Sequence, residues 1–215
     1  MYTPIRRFQY VNCQFETLRN LSSPALIRKA LRSLPKGLDN TYDRILQRIA
    51  PETQQQVSRS LRWLAFSIEV LKLEELSEIF VVHPEQAIPI KMEERLFRPE
   101  DVLRNFSGLV TTKAVGAGGE TACTRVSLVH FSVKEYLVSS RISKGPASFF
   151  AFSEADAHTH IAHSCLEYLI YTSSPDGMMI DSEFIMRSYA RKYWPQHLEM
   201  VPRGLWTAQV TDAIM

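Results

Sequence analysis

Apolar residues recur at helical spacing along most of the chain, and one stretch switches to strand-like runs. In residues 8–50, Val11, Phe15, Leu18 and Leu21 fall on one helical face. Leu26, Ala30 and Leu31 continue a second stripe, with Pro24 suited to its first turn. Leu34-Pro35 ends that stripe, because a residue before proline avoids helical angles. Asp39 is expected to cap a third helix that carries Tyr42, Ile45, Leu46 and Ile49 on one face. Further on, Val57, Leu61, Leu64 and Ala65 mark a long helix. Leu73, Leu76, Ile79 and Phe80 mark another, with Glu74 and Glu75 in its first turn where acids suit the helix dipole. A loop with Pro84 and Pro89 leads to a short helix over 99–106, opened by Pro99. Two runs rich in Val and Thr follow, 109–115 and 122–129, joined by the flexible Gly116-Ala117-Gly118-Gly119. A helix over 132–139 comes next.

In the remainder, Ser153 and Asp156 have the spacing of a capping box, with Asp where Glu is commoner. Ile161, Cys165, Tyr168 and Leu169 line one face of the helix they open. Pro175-Asp176-Gly177 is a turn. Asp181 or Ser182 then caps a helix with Phe184, Ile185, Tyr189 and Tyr193, expected to stop near Trp194-Pro195. The fold these elements predict is mainly α: a helical bundle plus a winged-helix domain (three helices and a β-hairpin wing), followed by a helical segment. The boundaries are 1–50, 51–140 and 141–215.

The 215 residues, 45% hydrophobic and 22% charged, suffice for a real core. The formal charge of +2 comes from 25 basic and 23 acidic side chains, not the concentrated basic surface of a nucleic-acid binder. Arg98 and Arg104 of the short third helix are offset by Glu100 and Asp101, and the wing tip carries no cation. Phosphate contacts dominate affinity for DNA, so nucleic acid is not an expected partner and the winged helix is expected to pack on protein. Cys13, Cys123 and Cys165 are odd in number and far apart, without a CxxC pair. They predict free thiols in a reducing compartment, not a zinc site or a disulfide framework. No stretch reaches the roughly 20 apolar residues of a membrane span, so a cytoplasmic protein with no membrane partner is expected.

No chemistry is assembled in the pattern. The P-loop sequence G-x-x-x-x-G-K-[ST] is absent, and the Gly116-to-Gly119 run lacks its lysine and joins two strands. G-x-S-x-G is absent as well. No catalytic residue, metal site or cofactor is therefore expected of this chain alone. His158, His160, His163 and Cys165 cluster, but one straight helix cannot converge them on an ion. They are expected to form a solvated face. His130 sits where the second strand meets the next helix, in Val129-His130-Phe131-Ser132. A ring there can face an anion at the helix start or serve as a hydrogen-bonded structural group; spacing alone favours the second.

Several segments occur in a familiar order: Phe15-Glu16-Thr17-Leu18-Arg19, Leu34-Pro35-Lys36-Gly37-Leu38, Thr41-Tyr42-Asp43-Arg44-Ile45-Leu46, Leu61-Arg62-Trp63-Leu64-Ala65-Phe66, Leu73-Glu74-Glu75-Leu76 and Val129-His130-Phe131-Ser132-Val133-Lys134-Glu135-Tyr136-Leu137. Together they resemble the stretch that follows the nucleotide-binding core of fungal NACHT–ankyrin proteins, STAND-class signalling NTPases related to NOD-like receptors. The winged helix also resembles the type named after GPI inositol-deacylase-like proteins. Tyr193-Trp194-Pro195 fits the helical segment before the repeats. The resemblance implies a non-catalytic regulatory module that packs over a NACHT core and holds it closed, with ankyrin or other repeats as further partners. It implies that His130 contacts the phosphates of ADP, but only within a complete NACHT protein. Neither core nor repeats accompany these motifs, so the chain is expected to be a fragment, a truncated product or a free-standing remnant. The alternative reading is a DNA-binding winged-helix protein.

Overall fold

The computed structural model describes residues 37–106, 108–116, 123–173 and 184–206, together with residues 23, 24, 208 and 211. The two helical stripes expected before residue 36 lie outside the described residues, Pro24 apart. So do Pro175-Asp176-Gly177, Asp181 and Ser182.

Helix α1 spans Leu38–Leu46. Gly37 opens it at φ 121°, a conformation that side-chain-bearing residues avoid. Thr41 donates both its N–H and its hydroxyl to the Gly37 carbonyl, at 3.2 and 2.8 Å. Asp39 is therefore not the cap. It lies in the first turn, where it suits the dipole and pairs with Arg141 at 2.7 Å. Helix α2, Gln54–Phe66, follows a 3₁₀ turn at Pro51–Thr53 and buries Val57, Leu61, Trp63 and Phe66. Helix α3, Leu73–Glu78, is opened by Lys72, whose N–H donates to Glu75 Oε2 at 2.7 Å. Ile79–Val81 continues it as a 3₁₀ turn.

The short helix expected over 99–106 is present as Pro99–Phe106, wound as a 3₁₀ helix that buries Val102 and Phe106. Strands β1, Val110–Val115, and β2, Cys123–Leu128, pair antiparallel, from Val110 opposite Leu128 to Val115 opposite Cys123. The sheet is tied to the preceding helices where Val126 N–H donates to the Leu71 carbonyl at 2.9 Å. Helices α4, Phe131–Leu137, and α5, Ser140–Ser143, follow the hairpin.

Helix α6 spans Glu154–Ser173. Its capping box forms in both directions: Ser153 N–H donates to Asp156 Oδ2 and Asp156 N–H to Ser153 Oγ, each at 3.1 Å. Helix α7, Arg187–Glu199, begins after Phe184 and Ile185 and does not stop at Trp194-Pro195. Proline removes one backbone hydrogen bond inside a helix. Here the turn beyond it is held by packing: His197 is buried against His158, and Leu198 packs with Ala162 and Leu166.

The protein is thus mainly helical with one two-stranded antiparallel sheet among the described residues. One large core runs from Leu38 and Tyr42 through Leu61, Leu76, Val126 and Tyr136 to Ile161, Tyr168 and Tyr189, and a small second cluster of Ala162, Leu166 and Leu198 joins α6 to α7. Among the described residues no helix is long and apolar enough to cross a membrane.

Candidate functional site

His130 lies at the strand-to-helix junction in an extended conformation, φ −160° and ψ 152°, and caps α4. Its Nδ1 accepts the Ser132 N–H at 3.2 Å and lies 2.7 Å from Ser132 Oγ. Ser132 Oγ in turn lies 2.9 Å from the Tyr42 hydroxyl of α1. Tyr42 and Tyr136 bring their rings to 5.5 Å, and the Tyr136 hydroxyl donates to Asp43 at 2.6 Å. A polar chain thus fastens α1 to α4. With Nδ1 accepting, the neutral ring carries its proton on Nε2, so that atom is the donor left for any group outside the chain. Ser132 is buried. Its contact with His130 therefore serves as a cap and not as an exposed nucleophile–base pair. Phe131, directly beside His130 at 4.3 Å between ring centroids, is exposed.

The histidines of α6 are not a solvated face. Helix α6 packs on α2 along one side and on α7 along another, so its polar residues are enclosed on both. His158 and His163 are buried, and the His160 side chain is only 8% exposed. Among the described residues no three His, Cys, Asp or Glu side chains are grouped as metal ligands. Cys165 is buried and its thiol is pushed up by desolvation; Cys123 is half-buried, and both are free thiols. Cys13 lies outside the described residues.

Toward α7, His158 Nδ1 meets His197 Nδ1 at 2.8 Å, and His197 Nε2 meets the Tyr189 hydroxyl at 3.0 Å. That hydroxyl accepts the Ile68 N–H at 3.0 Å. One assignment fits the three contacts together: Tyr189 donates to His197 Nε2, and His197 Nδ1–H donates to His158 Nδ1. His158 Nε2–H then faces Glu154, 3.9 Å away. Burial, then the neighbouring His158, holds His197 down at about 3, and burial lowers His158 too, so both rings are neutral.

Toward α2 the arrangement differs. Gln55, Ser58, Arg59 and Arg62 form a stripe on α2 at helical spacing, and Asp156, Thr159, His160 and His163 form the same stripe on α6. Between them lies a cleft of about 530 Å³, with Glu85 on one wall and Phe149 and Leu205 at its margin. His160 Nδ1–H donates to Glu85 Oε1 at 2.9 Å. Burial alone would raise the Glu85 carboxyl, but the hydrogen bond from His160 and the nearby Arg59 guanidinium outweigh it and hold it at about 2. Arg59 is 3% exposed; its Nη1 donates to His83 Nδ1 at 2.6 Å, while its Nη2 is 3.7 Å from Glu85 Oε2. Behind it, His83 Nε2 lies 2.9 Å from Glu94. Arg62 donates to Ser58 Oγ at 2.9 Å and lies over the Phe152 ring. Desolvation lowers the pKa of both guanidinium groups. Apolar periodicity does not mark Arg59, Arg62, His83, Glu85 or His197. The available signal was the shared spacing of Arg59 with Arg62 and of His160 with His163.

Compared with known proteins, the chain matches no family model and no solved structure. It is similar to the azaphilone pigments biosynthesis cluster protein L of Monascus ruber, 32% identical over 198 residues. The alignment covers 90% of this chain and 41% of that protein, so the chain spans less than half the length of its relative.

Proposed function

We propose that the chain is a non-catalytic regulatory and protein-interaction module: a winged helix with flanking helices that packs against the nucleotide-binding core of a STAND-type protein and holds it closed. The observation that carries this reading is the junction at His130. Three helical pieces, a hairpin and a helix follow one another, and the histidine at the last turn keeps its Nδ1 inward while Nε2 remains a donor. That is the position at which the resemblance to NACHT–ankyrin proteins puts a contact with ADP phosphate. The exposed Phe131 beside it supplies apolar surface for a docked core. The relative's greater length is compatible with a module that works inside a larger protein.

Arg98 and Arg104 weigh against the DNA-binding alternative. Both pair with Asp101, at 3.1 and 3.0 Å, so the cations of the third helix already have a counter-ion. The test mixes the purified chain with a fungal NACHT core loaded with ADP and measures association by calorimetry. An ADP-dependent complex weakened in His130→Ala is expected. No complex in either nucleotide state would overturn the docking claim, and micromolar binding of ATP or ADP by the chain alone would overturn the non-catalytic one.

A further inference from the structure

We propose that the cleft between α2 and α6 binds a small organic anion, its phosphate or carboxylate group held by Arg59 and Arg62 and its apolar part lying on Phe149 and Leu205. The size fits: about 530 Å³ lies within the roughly 300–1,000 Å³ of small-molecule pockets.

The charge balance gives the chemistry. Helices packed side by side ordinarily meet through apolar stripes. Here two polar stripes face one another and remain only partly paired. Glu85 must serve both His160, at 2.9 Å, and Arg59, whose Nη2 is 3.7 Å away. Asp156, the other acid at the cleft, has its Oδ2 engaged in the capping box of α6 and acts on Arg62, as Glu85 does, through space without an ion pair. Arg62 donates to the neutral Ser58 hydroxyl. Among the described residues, three buried nitrogens of the cleft lack a hydrogen bond: Arg59 Nη2, His160 Nε2 and His163 Nε2. The last lies 3.3 Å from Glu167 without a hydrogen bond to it. Buried polar atoms normally find a partner, and side chains this enclosed, 3%, 8% and 6% exposed, have little access to bulk water. One anionic group between the two arginines would meet the guanidinium donors and offset the desolvated charge, as bidentate guanidinium–phosphate pairs do. A hydroxyl on that group would suit the His160 Nε2 lone pair, since Nδ1 carries the proton given to Glu85.

Histidine-selective NMR of the whole chain tests this, with inorganic phosphate, acetate and phenyl phosphate as probes. Saturable shifts of His160 and His163 are expected. Phenyl phosphate should bind about tenfold more tightly than phosphate, the order of effect of covering part of one ring. Arg62→Gln, checked by circular dichroism, should weaken all three probes by about tenfold or more. Phe149→Ala should remove only the advantage of phenyl phosphate, and Lys192→Gln, on α7, should change nothing. Absence of saturable shifts in the unaltered chain would overturn the proposal whatever the variants do. So would shifts that persist in Arg62→Gln, or binding confined to a phosphopeptide with none by phenyl phosphate.

Discussion

Helix α6 carries histidines into two buried regions that differ in one respect. On the α7 side, the hydrogen bonds that link His158, His197, Tyr189 and the Ile68 N–H are all made, and only His158 Nε2 is left facing an acid, Glu154, at 3.9 Å. On the α2 side, His160 and His163 line a cleft where three buried nitrogens make no hydrogen bond among the described residues, two of them facing acids at 3.7 and 3.3 Å. Residue type and burial are alike on both sides, so neither separates a structural histidine from a candidate ligand group. The completeness of the hydrogen bonding does. A saturated chain holds helices together and offers nothing to a ligand; an unsaturated cleft holds them less firmly and retains something to give.

Breaking the saturated side should have the largest effect. His197→Ala would leave a cavity and strand both His158 Nδ1 and the Tyr189 hydroxyl. A loss of about 3 kcal/mol is expected in urea unfolding. The same chain predicts a pH dependence. Unfolded, His197 takes up a proton near its ordinary 6.5; folded, it does so only at about 3. Between those values the unfolded state binds more protons, so stability is at its full value above about pH 6.5 and falls as the pH drops. The slope approaches 1.4 kcal/mol per pH unit, roughly, for one proton. Unfolding midpoints measured from pH 8 to pH 4 should show it, on top of a contribution of the same sign from His83, His158 and His160, which burial also lowers. His197→Gln should make the slope shallower by roughly one proton's worth; an unchanged slope would place the titration elsewhere.

What was legible in the sequence divides along the same line. Apolar periodicity located α1, α2, α3, both strands and α6, because one period describes a helix or strand with one buried face. Asp39 has the residue type of a cap, but Gly37 supplies the starting conformation through its backbone, which leaves no side-chain signature. Pro195 predicts a stop because its local cost is real, whereas the contacts that outweigh it come from His158, Ala162 and Leu166, far away in sequence. The cleft was invisible for a further reason. Arg59 and Glu85 look like surface residues until α2 and α6 are packed together, and polar stripes at helical spacing ordinarily mark solvent. The capping box of Ser153 and Asp156 was legible because both of its hydrogen bonds are local.

That box gives an intermediate effect. Ser153→Ala removes the acceptor for Asp156 N–H and should cost about 1 kcal/mol in the same unfolding measurement. The loss should be independent of the His197 change, so the double variant should show the sum of the two. Coupling beyond about 0.5 kcal/mol would mean that the start of α6 and the α7 contact form one unit.

The smallest effect belongs to the cleft. Arg62→Met keeps an unbranched side chain over Phe152 and gives up one hydrogen bond to Ser58. It also removes a desolvated charge that Glu85 and Asp156 offset through space, without an ion pair to either. The first change destabilises and the second stabilises, so the net shift in unfolding free energy should stay within about 1 kcal/mol and can favour the folded state. Such a result beside the large loss at His197 would separate the two sides of α6 as the hydrogen bonding does. A loss as large as that of His197→Ala would show that Arg62 is tied into the structure, and the distinction between a closed side and an open one would fail.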